Sequence, residues 1–245
     1  MQAPHIQIAG ALSSEEIKSI DQSFKLAHKK GLHCAIGLVY GDSDHLNEAV
    51  LQNSTIKTCS AELQYGKLVL ITYFSKHQEI VAAVEATGIS ALQLHGPIEA
   101  SEIQLARKEI PDLFLIKSLP IAIDIPEEQS TTEALKELKA YEDDVDCFIT
   151  DTKTTVAGEL RFGATGVTHP WSISAAIVKS SKIPVIIAGG LNPENVSEAI
   201  KATKPYGVDV HSGVEDPQSS DTPALRLKCK LRLEAFIKNT SNSLS

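Results

Sequence analysis

Short runs of β-branched and aliphatic residues alternate along the whole chain with stretches whose apolar positions recur every three to four residues. The short runs are apolar on both faces and bounded by turn residues, the pattern of strands buried in a parallel sheet. Such strands are expected at residues 5–9, 34–40, 67–73, 91–95, 113–117, 145–150, 184–188 and 207–211. Between the first two, SSEEIKSIDQSFKLAHKKG sets Ile17, Ile20, Phe24 and Ala27 on one helical face, opened by a Ser13/Glu16 capping box and closed by Gly31. Later helices are expected in HQEIVAAVEATG, SEIQLARKE, TEALKELKAYE, SISAAIVKS and ENVSEAIKAT, and a last one in ALRLKCKLRLEAFIKN. The second unit carries the weakest pattern, with one helix expected at 45–52 and an irregular path from there to the third strand. The closing KNTSNSLS has no apolar period, so residues 239–245 are expected to fray.

Eight strand–helix units within 245 residues predict an α/β fold, a single (β/α)8 TIM barrel forming one domain over 1–245, rather than an open doubly wound sheet. A chain this long buries a core without disulfides or metals. The net charge of −8 and the lack of a basic run argue against nucleic acid, whose backbone calls for clustered Lys and Arg. Cys34, Cys59, Cys147 and Cys229 have no zinc-like spacing, and three or all of them are expected as reduced thiols. Neither a metal nor an organic cofactor is expected. Without a leader-like N-terminus or an apolar run of roughly 18 residues, a cytoplasmic protein with no membrane partner is expected.

In such a barrel the chemistry gathers at the C-terminal ends of the strands. Two of those ends carry glycines directly after an apolar strand, in IPVIIAGGLNPENV and GVDVHSGVE. Gly189 and Gly190, Asn192 as a helix cap before Pro193, and Ser212 with Gly213 are candidates to hold one phosphate on backbone N–H groups. A plain tight turn is the bland alternative for each glycine pair. His95 ends the fourth strand and Asp151 follows the sixth, where a carboxyl group can donate or accept a proton. A backbone-bonded imidazole and a loop-capping carboxylate are their bland alternatives. Gly163 and Gly166 flank a loop that could close over the site, and Asp209 and His211 share the inward face of the eighth strand.

QLHG, DTKT, GATG, AGGLNPENV and VDVHSGVE, in this order and spacing, resemble phosphoribosylanthranilate isomerase of tryptophan biosynthesis. The resemblance implies a (β/α)8 barrel that opens the ribose ring of a phosphorylated substrate and converts an aldosylamine into a ketose. It also implies a general acid at Asp151 and a base on the first strand. That strand ends KICG in the family, with cysteine as base; here it ends Gln7, Ile8, Ala9, Gly10, and Ala9 accepts no proton. GDSDHLNE lacks the family's arginine, His169-Pro170-Trp171 replaces FDW, His211 replaces a serine, and the glycine-lysine-aspartate after SGVE is missing. His95, Gly163, Gly166 and Ala9 would line the substrate pocket. Three readings stay open: an isomerase with another base, drawn from Asp209 or His211; an enzyme for a different phosphosugar; or a barrel that binds a phosphate ligand without turning it over.

Overall fold

Strand β1 (His5–Ala9) sets the plan of the molecule. Ile6 and Ile8 are fully buried in the cluster that packs under the helices, whereas Gln7 points the other way. Gln7 Nε2 donates to Gln93 Oε1 at 2.8 Å, and a bond between two strands that are not neighbours can only cross the interior of a barrel. The computed structural model describes residues 4–41, 51–156, 159–162, 168–222 and 225–244, with 154–156 and 159–162 described for their backbone alone.

The chain continues through α1 (Ser14–Ser23), α2 (Lys25–Lys29), β2 (His33–Val39), α3 (Asn53–Glu62), β3 (Lys67–Thr72), α4 (His77–Thr87), β4 (Ala91–Leu94) and α5 (Ala100–Glu109). There follow β5 (Phe114–Ala122), α6 (Glu127–Tyr141), β6 (Cys147–Val156), β7 (Glu159–Phe162), α7 (Trp171–Ser180), β8 (Val185–Ile187), α8 (Val196–Thr203), β9 (Gly207–Val210) and α9 (Lys230–Ser243). Parallel pairing runs β1-β2-β3-β4-β5-β6-β8-β9 and returns to β1, which closes an eight-stranded barrel. β7 stands outside the ring, folded back antiparallel on β6. Ala35, Val69, Ile116, Cys147, Ile149, Ile186 and Ala188 fill the barrel, and the larger apolar cluster lies between strands and helices. Among the described residues no helix is long and apolar enough to cross a membrane.

Several expected boundaries move, each for a local reason. The helix expected over 13–31 breaks at Phe24, whose N–H bonds to Asp21 O at 3.0 Å in a tighter turn. Asp21, buried on α1, accepts the N–H groups of Gln64, Tyr65 and Gly66 and so fixes the entry to β3. Ser13 Oγ does accept the Glu16 N–H, but the Glu16 carboxylate reaches Leu12 N at 2.7 Å and Lys228 N at 2.6 Å instead of completing the capping box. Most of the helix expected at 45–52 lies outside the described residues, and 51–52 are not helical. The helix of that unit is α3, in the stretch expected to be irregular; only Ile56 and Cys59 of it are buried, too few to show as a period.

β5 and β6 outrun their expected ends, staying in register from Ile116↔Cys147 to Ala122↔Lys153. Asp151 is therefore inside a strand, not at the start of a loop; Gly163 and Gly166 lie outside the described residues. The helix after the glycine pair begins at Val196 with Asn195 at its N-cap, three residues beyond the expected Asn192. Asn192 Oδ1 accepts Glu194 N and Asn195 N instead, at 2.9 and 3.0 Å. The last helix starts at Lys230 and not at 224, because the preceding segment bridges Glu215 to Lys228. Its end is helical through Ser243 with Phe236, Ile237, Thr240 and Ser241 buried, contrary to the frayed tail expected from 239.

Candidate functional site

Inside the barrel, one layer below the mouth, Gln7, Gln93, Ser118 and Asp209 are all buried. Gln93 Nε2 reaches Ser118 Oγ at 3.5 Å, and Gln7 lies in register with Asp209 on the adjoining strand. Among the described residues, Gln7 Oε1 and Asp209 Oδ1 have no hydrogen-bond partner. Burial pushes the Asp209 carboxyl up to about 7, helped by the Asp151 charge and opposed by Gln7, Lys228 and His95. This group is therefore close to half protonated at neutral pH. Its place on the inward face agrees with the strand alternation.

Above that layer, His95 Nε2 meets Asp151 Oδ2 at 2.9 Å, and the His95 ring stacks on Tyr73 with centroids 5.0 Å apart. Asp151 Oδ1 accepts the Thr152 N–H at 2.8 Å. Thus His95 is neither a merely backbone-bonded imidazole nor far from the carboxyl, and Asp151 faces inward from a rigid strand. Carboxyl and imidazole can share one proton and pass it to a ligand above them.

Ala9 is buried at the end of β1, followed by Gly10 at φ 77. A Cβ at Gly10 would collide with Nε2 of His211. The imidazole that follows β9 therefore rests on the backbone next to Ala9. His211 Nε2 also lies 3.3 Å from Glu215 Oε1. Lys228, its side chain buried, pairs with the same Glu215 oxygen at 3.1 Å and donates to His211 O at 3.2 Å. Burial, and after it the Lys228 charge, hold the His211 imidazole well below its ordinary value and so neutral. Two other side chains fail as bases here. Cys34, the second residue of β2, lies at the opposite end, and burial pushes its thiol up to about 12; His5 opens β1 at that same far end.

The two glycine turns touch. Gly189 and Gly190 both have positive φ, at 93 and 67, and a Cβ at Gly213 would run into the Leu191 carbonyl. Ser212 to Val214 form a short 3-10 turn after β9. Asn195 ties the first turn together by donating to Gly190 O and accepting from Asn192 N. Among the described residues, no backbone bond uses the N–H of Gly189 or Gly190, and both are half-exposed. Such a pair of turns presents N–H groups to an anion.

Of the candidates named from the sequence, His95 and Asp151 meet, Asp209 and His211 lie on the same side of the barrel end, and the turns of Gly189, Gly190 and Gly213 come together. Sequence reasoning missed Gln7, Glu215 and Lys228 as neighbours of the site, and Thr152 and His169 beneath the glycine turn. Polar residues at inward strand positions were the available signal for Gln7. Lys228 gave none, since its run reads as one continuous helix.

Residues 48–223 match the family model described as N-(5'phosphoribosyl)anthranilate (PRA) isomerase. A protein of Methanosarcina mazei named N-(5'-phosphoribosyl)anthranilate isomerase 2 is 38% identical over 74% of this chain and 76% of its own length. A phosphoribosylanthranilate isomerase of Methanocella arvoryzae is 35% identical over 60% of this chain, a stretch spanning 63% of that protein. The solved isomerase of Pyrococcus furiosus superposes with a TM-score of 0.72 at 26% identity, covering 98% of this chain and 99% of that one.

Proposed function

This chain belongs to the phosphoribosylanthranilate isomerase family of tryptophan biosynthesis, and on that premise we propose that its barrel mouth rearranges phosphoribosylanthranilate with His211 as the proton acceptor. The observation that carries this reading is the neutral imidazole of His211 seated on Gly10, beside the alanine that stands where the family has its cysteine. The phosphate would lie on Gly189, Gly190, Ser212 and Gly213, with Asn192 shaping the first turn. The ribosylamine would extend over Ala9, His95 and Asp151; Gly163 and Gly166 lie outside the described residues.

Each step then has a named group. The proton shared by Asp151 and His95 goes to the ribose ring oxygen as the bond from that oxygen to C1 breaks. The nitrogen lone pair forms the iminium at C1. His211 takes the proton from C2, and the electron pair of that C–H bond becomes the C1–C2 double bond of an enaminol while the iminium π pair returns to nitrogen. The C1–C2 π pair then takes a proton at C1 while the C2 hydroxyl gives up its proton and its oxygen forms the C2 carbonyl, which leaves the ketose. Glu215 lies 3.3 Å from the imidazole and stabilises the positive charge that it gains, and Asp209 lies in the layer beneath, its carboxyl held far above the ordinary range by burial. No metal or organic cofactor has a part in these steps, and the ligand is a small phosphorylated molecule, not nucleic acid or membrane. A cytoplasmic site of action fits this role.

The reading is tested by following loss of anthranilate fluorescence when fresh phosphoribosylanthranilate meets the protein. Turnover is expected, and Asp151→Asn should lower kcat by about 10² to 10⁴. Equal rates with the wild type, the Asn variant and no protein would overturn it.

A further inference from the structure

Thr152 sits where the glycine turn, the candidate acid and an unused histidine meet. Its N–H donates to Asp151 Oδ1 at 2.8 Å. Its hydroxyl lies against Gly189 so closely that a Cβ there would collide with Oγ1. The same Oγ1 meets His169 Nδ1 at 3.1 Å, and His169 Nε2 meets Ser174 Oγ on α7 at 2.6 Å. Thr152, His169 and Ser174 are all buried, at 0, 3 and 0% exposure, so these contacts do not exchange with solvent. A neutral imidazole has one donor and one acceptor nitrogen, so both hydroxyl contacts are satisfied at once. Burial lowers His169 to about 4, against a smaller opposing effect of Asp151. The strut therefore stays uncharged across the neutral range.

Gly189 has φ 93, a state open to glycine without strain, so its place is set by what packs against it. Packed beneath it are the Thr152 hydroxyl and, next to that, His169 Nδ1, and the hydroxyl is bonded to this same nitrogen. We propose that Thr152, held by His169, is a positioning residue that sets the Gly189–Gly190 turn for a phosphoryl group and links that turn mechanically to Asp151. The inference rests on the phosphate assignment made above for this turn. It adds the part of the chain that shapes the turn without touching the ligand.

The test is titration calorimetry of the full chain with inorganic phosphate and with ribose 5-phosphate, which needs no turnover. Thr152→Val and His169→Phe keep volume and remove the polar contact; each should weaken both ligands about tenfold, or about 1.4 kcal/mol. Thr152→Ser keeps the hydroxyl and His169→Asn keeps an acceptor near the Nδ1 position, so both should bind within about threefold of wild type. Melting curves run beside the titrations show that each variant is folded. Wild-type binding with equal affinity in Thr152→Val and His169→Phe would overturn the strut while leaving the phosphate site intact. Losses as large in the Ser and Asn variants would reduce it to packing and overturn it also. A wild type that binds neither probe would remove the phosphate assignment itself, and the strut with it.

Discussion

Ala9 at the end of β1 accepts no proton, and the acceptor proposed in its place is the histidine after β9 on the neighbouring strand. The two positions are adjacent because β9 closes the ring on β1 in the register Ile8↔Val210. If the imidazole is the base, a thiol at position 9 should substitute for it. Ala9→Cys placed in a His211→Asn protein is therefore expected to recover at least about tenfold of the lost kcat; no recovery would argue that the imidazole and a thiol at position 9 do not share a task. Asp151, His95, Gly189, Gly190 and Gly213 stand out in the sequence because each ends or follows an apolar run. Glu215 and Lys228 do not, since their meeting with His211 depends on the segment before α9 folding back onto β9.

Among the elements, α9 departs furthest from expectation. Its polar end hides a buried face of Leu233, Phe236, Ile237, Thr240 and Ser241, and Asn239 Nδ2 donates to Pro193 O at 2.8 Å next to the glycine turn. Phe236 is fully buried, so Phe236→Ala should cost about 3 to 5 kcal/mol in urea unfolding; a change below about 1 kcal/mol would mean that the helix does not hold this end of the barrel. The eight barrel strands were legible because parallel strands buried on both faces leave continuous apolar runs. The extension of β6 past Asp151 was not. Its residues TKTTV are mostly polar, and what keeps them extended is pairing with β5 and β7, which a one-dimensional pattern does not contain. α3 escaped for the complementary reason, since two buried side chains do not make a period.

For the whole molecule, buried ionisable groups set a pH dependence whose sign can be worked out. His5 and His169 are lowered from 6.5 to about 4, and His211 is lowered well below 6.5. In that window the unfolded chain takes up protons that the fold refuses, so stability is lost as pH falls from about 6.5 towards 4. Holding one buried imidazole such as His169 down to about 4 corresponds to about 3 kcal/mol. Asp209 acts the other way, because the fold keeps a proton up to about 7 that the unfolded chain releases near 3.8. Three imidazoles outweigh one carboxyl, and the urea midpoint should fall between pH 7 and pH 5; a midpoint that stays level or rises would contradict the buried, neutral histidines.

The account turns on His211, and the most direct measurement is kcat and KM for phosphoribosylanthranilate with His211→Asn beside the wild type. A fall in kcat of about 10² to 10⁴ with KM little changed is the predicted result. A kcat within about threefold of wild type would show that the proton leaves C2 by another route and that the imidazole over Gly10 is not the base.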